Sequence, residues 1–121
     1  MKHLLVISKG TEYLRIPVAQ LIFISAQGNY SEVVLHDGRK LLVAYQLGHI
    51  ADMLDNQFGK HDGRLIRIGR SLIVNKEYIH IIDSAKQQID LSDCHDCYYE
   101  LNAPREALAG YKAYLAALDE K

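Results

Sequence analysis

Turn residues punctuate the first half of this chain at short intervals, and each cluster separates two short apolar runs, so the chain must fold back on itself repeatedly. Runs at 4–7 and 13–16 flank Ser-Lys-Gly-Thr at 8–11, which predicts an opening hairpin with Gly10 at its turn and Pro17 at its end. Runs at 21–25 and 31–35 flank Ala-Gln-Gly-Asn-Tyr at 26–30. His-Asp-Gly-Arg at 36–39 then leads into 41–44, and Asp37-Gly38 is a favoured type I′ pair. Hairpin-linked strands in succession exclude a parallel sheet, whose connections need a crossover.

From residue 46 the period changes. Leu47, Ile50, Leu54 and Phe58 recur at helical steps with Met53 on the same face, so a short amphipathic helix is predicted over 46–58. Strand patterning returns near 65 and continues through 78–82 and 88–91 around the turn at 84–87, with a further strand at 97–101. Pro104 opens a C-terminal helix within 102–119, where Leu108, Tyr111, Leu115 and Leu118 repeat. The expected fold class is mostly β: antiparallel sheets of short strands with one internal and one C-terminal helix, forming a single domain over residues 1–121.

The stretch at 65–79 carries the clearest functional pattern. Ile66 and Ile68 alternate with Arg67 as in a half-buried strand, and Leu72, Ile73 and Val74 form an apolar run that requires burial. Gly69, Arg70 and Ser71 lie between them, and a glycine at that break lifts Arg70 out of the pleat toward solvent. The chain's formal net charge is −1, but it is segregated. Residues 60–76 hold Lys60, Arg64, Arg67, Arg70 and Lys76 against Asp62, a balance of +4. Residues 83–100 hold Asp83, Asp90, Asp93, Asp96 and Glu100 against Lys86, a balance of −4. Five cations around a kinked strand suit a polyanion such as nucleic acid.

Residues 67–75, Arg-Ile-Gly-Arg-Ser-Leu-Ile-Val-Asn, followed by Tyr78-Ile79, resemble the signature of the LytTR DNA-binding domain. The likeness extends to the apolar strand and Gly-Asn-Tyr turn at 21–30 and to the helix at 46–58, and covers roughly residues 11–92. It implies an elongated β fold that reaches duplex DNA through loops and turns. Neither predicted helix contradicts this, because the first has no cation between Gln46 and Phe58 and the second is mixed in charge. The guanidinium of Arg70 would read a base, since its fork matches the two acceptors of guanine. The resemblance also places Asn29 and Ser31 as base readers, without choosing between them. Arg67, Ser71 and Lys76 suit phosphate contacts, as does Tyr30, while Asn75 suits a local structural role at the end of a buried run. Family members end in a hairpin whose arginine makes a third base contact. Here the sequence departs: Arg105 either fills that role after a short insertion or is an ordinary first-turn residue beside Glu106.

The resemblance further implies a bacterial, response-regulator-like transcription factor that binds direct repeats as two protomers, either on its own or as part of a longer chain. No cofactor, metal or small-molecule substrate is expected, and no phosphate loop, nucleophile elbow or paired catalytic carboxylates mark an enzyme. Cys94 and Cys97 form a C-x-x-C spacing, which is half of a zinc site, a candidate redox pair, or two unrelated thiols. A thiol switch would make DNA affinity respond to oxidant. The start of the chain is too quickly polar for a signal peptide and no run can span a bilayer, which predicts a cytoplasmic protein. The alternative reading is a protein-interaction module set by a regulatory partner such as a membrane protein, with the acidic 90–100 segment and the C-terminal helix, Tyr111 and Leu115 included, as its surface.

Overall fold

A computed structural model describes residues 4–58 and 64–120, which divide into two compact units, Met1–Glu77 and Tyr78–Lys121. Lys60 and Asp62, and the side chain of Phe58, lie outside the described residues.

In the first unit, β1 (Leu4–Lys9) and β2 (Glu12–Pro17) form a two-stranded antiparallel sheet. A five-stranded antiparallel sheet follows, built from β3 (Leu21–Gln27), β4 (Tyr30–Leu35), β5 (Lys40–Val43), β6 (Leu65–Ile68) and β7 (Leu72–Asn75) in the order β5-β4-β3-β7-β6. β3 is central, which explains why its first four residues are all apolar and all buried, without alternation. Its second neighbour is β7, paired Phe23 to Val74, Ile24 to Ile73 and Ser25 to Leu72. α1 (Leu47–Phe58) lays Leu47, Ile50 and Leu54 into a core shared with Leu5, Ile7, Ile24, Val33 and Ile73. Gln57 fastens this helix to β1 with both ends of its amide: Oε1 accepts from the Val6 N–H and Nε2 donates to the Val6 carbonyl, each at 2.9 Å.

Two local features sharpen the sequence reading. Asp37-Gly38 does not form a type I′ turn, because only Gly38 has positive φ, at 92°. The Gly38 N–H bonds the Leu35 carbonyl and the Leu35 N–H bonds the Arg39 carbonyl, giving a three-residue loop with the glycine in the left-handed position. Asp37 closes this loop by accepting from the Arg39 N–H and Nε, and those bonds hold its carboxyl below the usual range. Asn75 is 1% exposed, and its Nδ2 donates to the carbonyls of Val18 and Leu21 while Oδ1 accepts from the Glu77 N–H. It is a structural staple, as its position at the end of β7 suggested.

The second unit holds β8 (Ile79–Asp83), β9 (Gln88–Ser92) and β10 (Tyr98–Asn102) in the antiparallel order β10-β9-β8, followed by α2 (Arg105–Asp119). Tyr78 ends a one-turn 3₁₀ segment instead of starting a strand, and the terminal helix begins at Arg105 because 98–102 are paired as β10. Asp90 and Glu100 face each other across β9 and β10, a like-charge pair relieved by Gln88, whose Nε2 donates to both at 2.8 Å. The Tyr98 hydroxyl donates to the other Asp90 oxygen.

Candidate nucleic-acid interface

Strand polarity decides which turns meet. Because β3 and β7 run antiparallel, the end of β3 that enters the Gly28-Asn29 turn is the end of β7 that leaves the Gly69–Arg70–Ser71 loop. A hydrogen bond from the Ala26 N–H to the Ser71 carbonyl, 2.9 Å, ties the two hairpins just below their tips. Asn29 is three residues beyond Ala26, within roughly 10 Å along the strand. The segment from β5 into α1 arrives at this same end, since Val43 pairs with Ser31.

Each tip owes its shape to a glycine. Gly28 has φ +66° and a β-carbon there would meet nothing within 4 Å, so the pair Gly28-Asn29 makes a tight two-residue turn that projects freely. Gly69 has φ +67° and opens the 69–71 loop, leaving Arg70 exposed. The Arg67 Nη2 donates to the Arg70 carbonyl at 3.4 Å and braces that loop from below.

The electrostatics converge here as well. Arg67 reaches the start of α1, where a β-carbon on Gly48 would stand 3.8 and 3.9 Å from its two terminal nitrogens. The first turn of α1 contains no acidic residue, so the positive pole of the helix is left uncompensated beside a guanidinium. Charge also divides with the fold. The first unit carries ten Lys and Arg against seven Asp and Glu, a net +3, and the second carries four against eight, a net −4.

The other candidates are placed as follows. Tyr30 is 47% exposed at the base of its turn, and Ser71 is exposed on the Arg70 loop. Ser31 is corrected: it is fully buried, and its hydroxyl donates to the Tyr45 carbonyl at 2.8 Å, so in this conformation it has no surface to offer a base. Its neighbour in sequence, Asn29, is exposed. Lys76 sits at the opposite end of β7, where its N–H bonds the Arg64 carbonyl, about 13 Å along the strand from Leu72. Arg105 belongs to the second unit, as the first residue of α2, and its Nη2 reaches the Ala85 carbonyl at 3.5 Å.

Three residues at this end of the sheet were not singled out by sequence reading. Gln46 donates from Nε2 to Asn29 Oδ1 at 3.1 Å. Lys9 donates to the Ala44 carbonyl at 2.7 Å and lies 4.5 Å from the centre of the Tyr45 ring. The Tyr45 hydroxyl in turn donates to the Ser8 carbonyl, and its ring packs against His49. No local pattern marks them; only the folding of 44–46 beside the hairpins brings them in.

These hairpin tips belong to a recognised architecture, because the family model of the LytTr DNA-binding domain matches residues 11–108, well over half of the sequence. The chain belongs to the LytTR family. The match spans both compact units, so this LytTR domain includes β8 to β10 and the start of α2 as well as the five-stranded sheet. A solved LytTr DNA-binding domain from Bacillus cereus, from a protein described as a putative methyl-accepting/DNA response regulator, has the same fold. It aligns with a TM-score of 0.66 at 16% identity, over 95% of this chain and 98% of that one. No curated protein matches the chain. The family is one of DNA binding and transcription regulation, not of enzymes. No helix among the described residues is long and apolar enough to cross a membrane.

The two cysteines of this LytTR domain belong to the second unit, in the loop between β9 and β10. Cys94 is exposed with φ +66°, while Cys97 is buried and both are free thiols. Burial, followed by the carboxylates of Asp93 and Asp96, pushes the Cys97 thiol up and keeps it protonated. That environment opposes the reactivity a redox switch needs.

Proposed function

We propose that this LytTR domain is a sequence-specific transcriptional regulator that reads the major groove of duplex DNA with the two hairpin tips at one end of its five-stranded sheet. The observation that carries the reading is the bond between Ala26 and Ser71, which holds the Arg70 loop and the Asn29 turn side by side. A major groove about 12 Å wide admits a two-stranded ribbon, and two joined tips present an arginine fork and an amide to neighbouring base pairs. Arg70 and Asn29 are the base readers. Arg67, with the start of α1 behind it, holds a phosphate, and Tyr30 and Ser71 contribute further backbone contacts. Lys76 extends the backbone contacts to the far end of β7, and Arg105 supplies contacts from the second unit. Two protomers occupy direct repeats in the cytoplasm.

Selection from a random duplex library followed by footprinting tests this proposal. Two protected windows with the same sequence in the same orientation are expected, and a lone or inverted window would overturn the direct-repeat arrangement. Affinity for the selected site is expected to fall steeply with salt. Arg67→Ala is expected to weaken binding to every sequence and to lower the salt slope by about 1, as the loss of one phosphate contact requires. An unchanged slope would remove Arg67 from the interface.

One feature favours a second role, docking of a regulatory protein on α2. The Tyr111 hydroxyl is buried yet meets no hydrogen-bond partner among the described residues, and burial pushes its pKa up to about 12. Tyr114 and Leu118 beside it are 55% and 38% exposed. A pull-down that is lost with Leu115→Ala and retained with Arg70→Ala would support this role.

A further inference from the structure

We propose that Gln46 is a positioning residue that fixes which end of the Asn29 amide faces DNA, and so determines the base that Asn29 selects. The inference rests on the reading of Asn29 as a base contact. Asn29 occupies a two-residue turn, where its side chain would otherwise rotate freely and present either its carbonyl or its amino group. Gln46 holds the Asn29 amide in one of these two orientations by donating Nε2 to Oδ1, across seventeen residues of sequence. The amino group of Asn29 is then left to point outward.

Gln46 can do this because its own backbone is immobilised. Its carbonyl accepts from the N–H groups of His49 and Ile50 and so forms the first turn of α1. The preceding residue, Tyr45, is held three ways: its carbonyl by the buried Ser31 hydroxyl, its hydroxyl by the Ser8 carbonyl, and its ring by His49 and Lys9. The position ahead of a helix is one where Ser, Thr, Asp or Asn would satisfy the free N–H groups. Here it holds a longer amide that reaches the neighbouring hairpin instead. Ser31 therefore acts on recognition indirectly, by anchoring the segment from which Gln46 reaches.

An outward amino group seeks an acceptor. In the major groove that favours guanine, with N7 and O6, or thymine, with O4, over cytosine, whose edge offers an amino donor. A glutamate at position 46 could only accept, so it would draw in the Asn29 amino group and turn the carbonyl outward. Preference would then move to the amino groups of cytosine or adenine.

The test is a binding profile in which each base pair of the wild-type selected site is replaced by the other three, measured for wild type, Asn29→Ala, Gln46→Ala, Gln46→Glu and Arg70→Ala. Gln46 is exposed, so its variants are expected to melt with the wild type. Asn29→Ala should flatten the preference at one position. Gln46→Ala should reduce that same preference by about fivefold, the worth of one positioned hydrogen bond, and Gln46→Glu should shift it toward cytosine or adenine. The added carboxylate weakens binding to every sequence and leaves relative preferences readable. If Asn29→Ala flattens a position but both Gln46 variants keep the wild-type preference there, the positioning role is overturned while the DNA reading stands. If Asn29→Ala flattens nothing while Arg70→Ala flattens its own position, the inference also fails and the DNA reading survives. If no variant, Arg70→Ala included, alters preference at any position, both fail together.

Discussion

Replacing Arg70 with alanine is expected to remove roughly 1–3 kcal/mol of discrimination at one base pair, a 5- to 150-fold loss of preference, with no change in melting temperature. Arg70 is exposed on a loop opened by Gly69 and braced through its carbonyl by Arg67, so its side chain has no packing role to lose. The contribution proposed for it is that of a rigid planar fork, which matches the O6 and N7 acceptors of guanine. Arg70→Lys separates charge from geometry: it keeps the cation and much of the affinity but loses the bidentate fit. Competition assays over all four bases at the affected position measure both effects. A uniform loss across sequences in both variants would reassign Arg70 to a phosphate.

The second large effect concerns stability. Asn75→Ala is expected to lower unfolding free energy by about 3 kcal/mol, because it strips hydrogen bonds from two buried carbonyls and a part-buried N–H. The amide of Asn75 serves the carbonyls of Val18 and Leu21 and the N–H of Glu77, three backbone groups from two segments. Truncation leaves those groups and a cavity together, at a site that is 1% exposed. Denaturant melts of the two proteins provide the measurement, and a change below about 1 kcal/mol would mean that the surrounding backbone finds other partners. Loss of DNA binding in this variant should follow unfolding and disappear when the folded fraction is held equal.

Much of the fold was legible because local rules agree with it. Alternating runs separated by Gly-containing turns marked the hairpins, and the change of period at residue 46 marked α1 within one residue of its start. The β3–β7 pairing was not legible, since it joins residues about fifty positions apart that are both uniformly apolar, and alternation says nothing about partners. Yet that pairing puts two turns at one end of a sheet and so assembles the candidate site. The turn at 36–38 was misread because Asp-Gly suits more than one loop length, and the neighbouring pairing selects among them.

The misplacement of Ser31 is more instructive. Ser31 shares strand parity with Val33 and Leu35, all three buried, so period two already pointed its side chain inward. Family likeness drew attention to the loop as a whole and overrode that signal. The exposure of Arg70 was legible because a glycine break beside a cation has a direct physical meaning. Gln46 was not, because nothing in its local sequence shows that its amide spans to Asn29.

The most direct test of the central claim is the ratio of affinities for the selected duplex and a scrambled duplex of equal length and composition, measured at physiological salt. Sequence reading by two joined tips predicts a ratio on the order of 10³ or more, sustained as salt rises and both affinities fall. Equal affinities for the two duplexes at every salt concentration would contradict it, and would mean that the basic tips hold DNA without reading it.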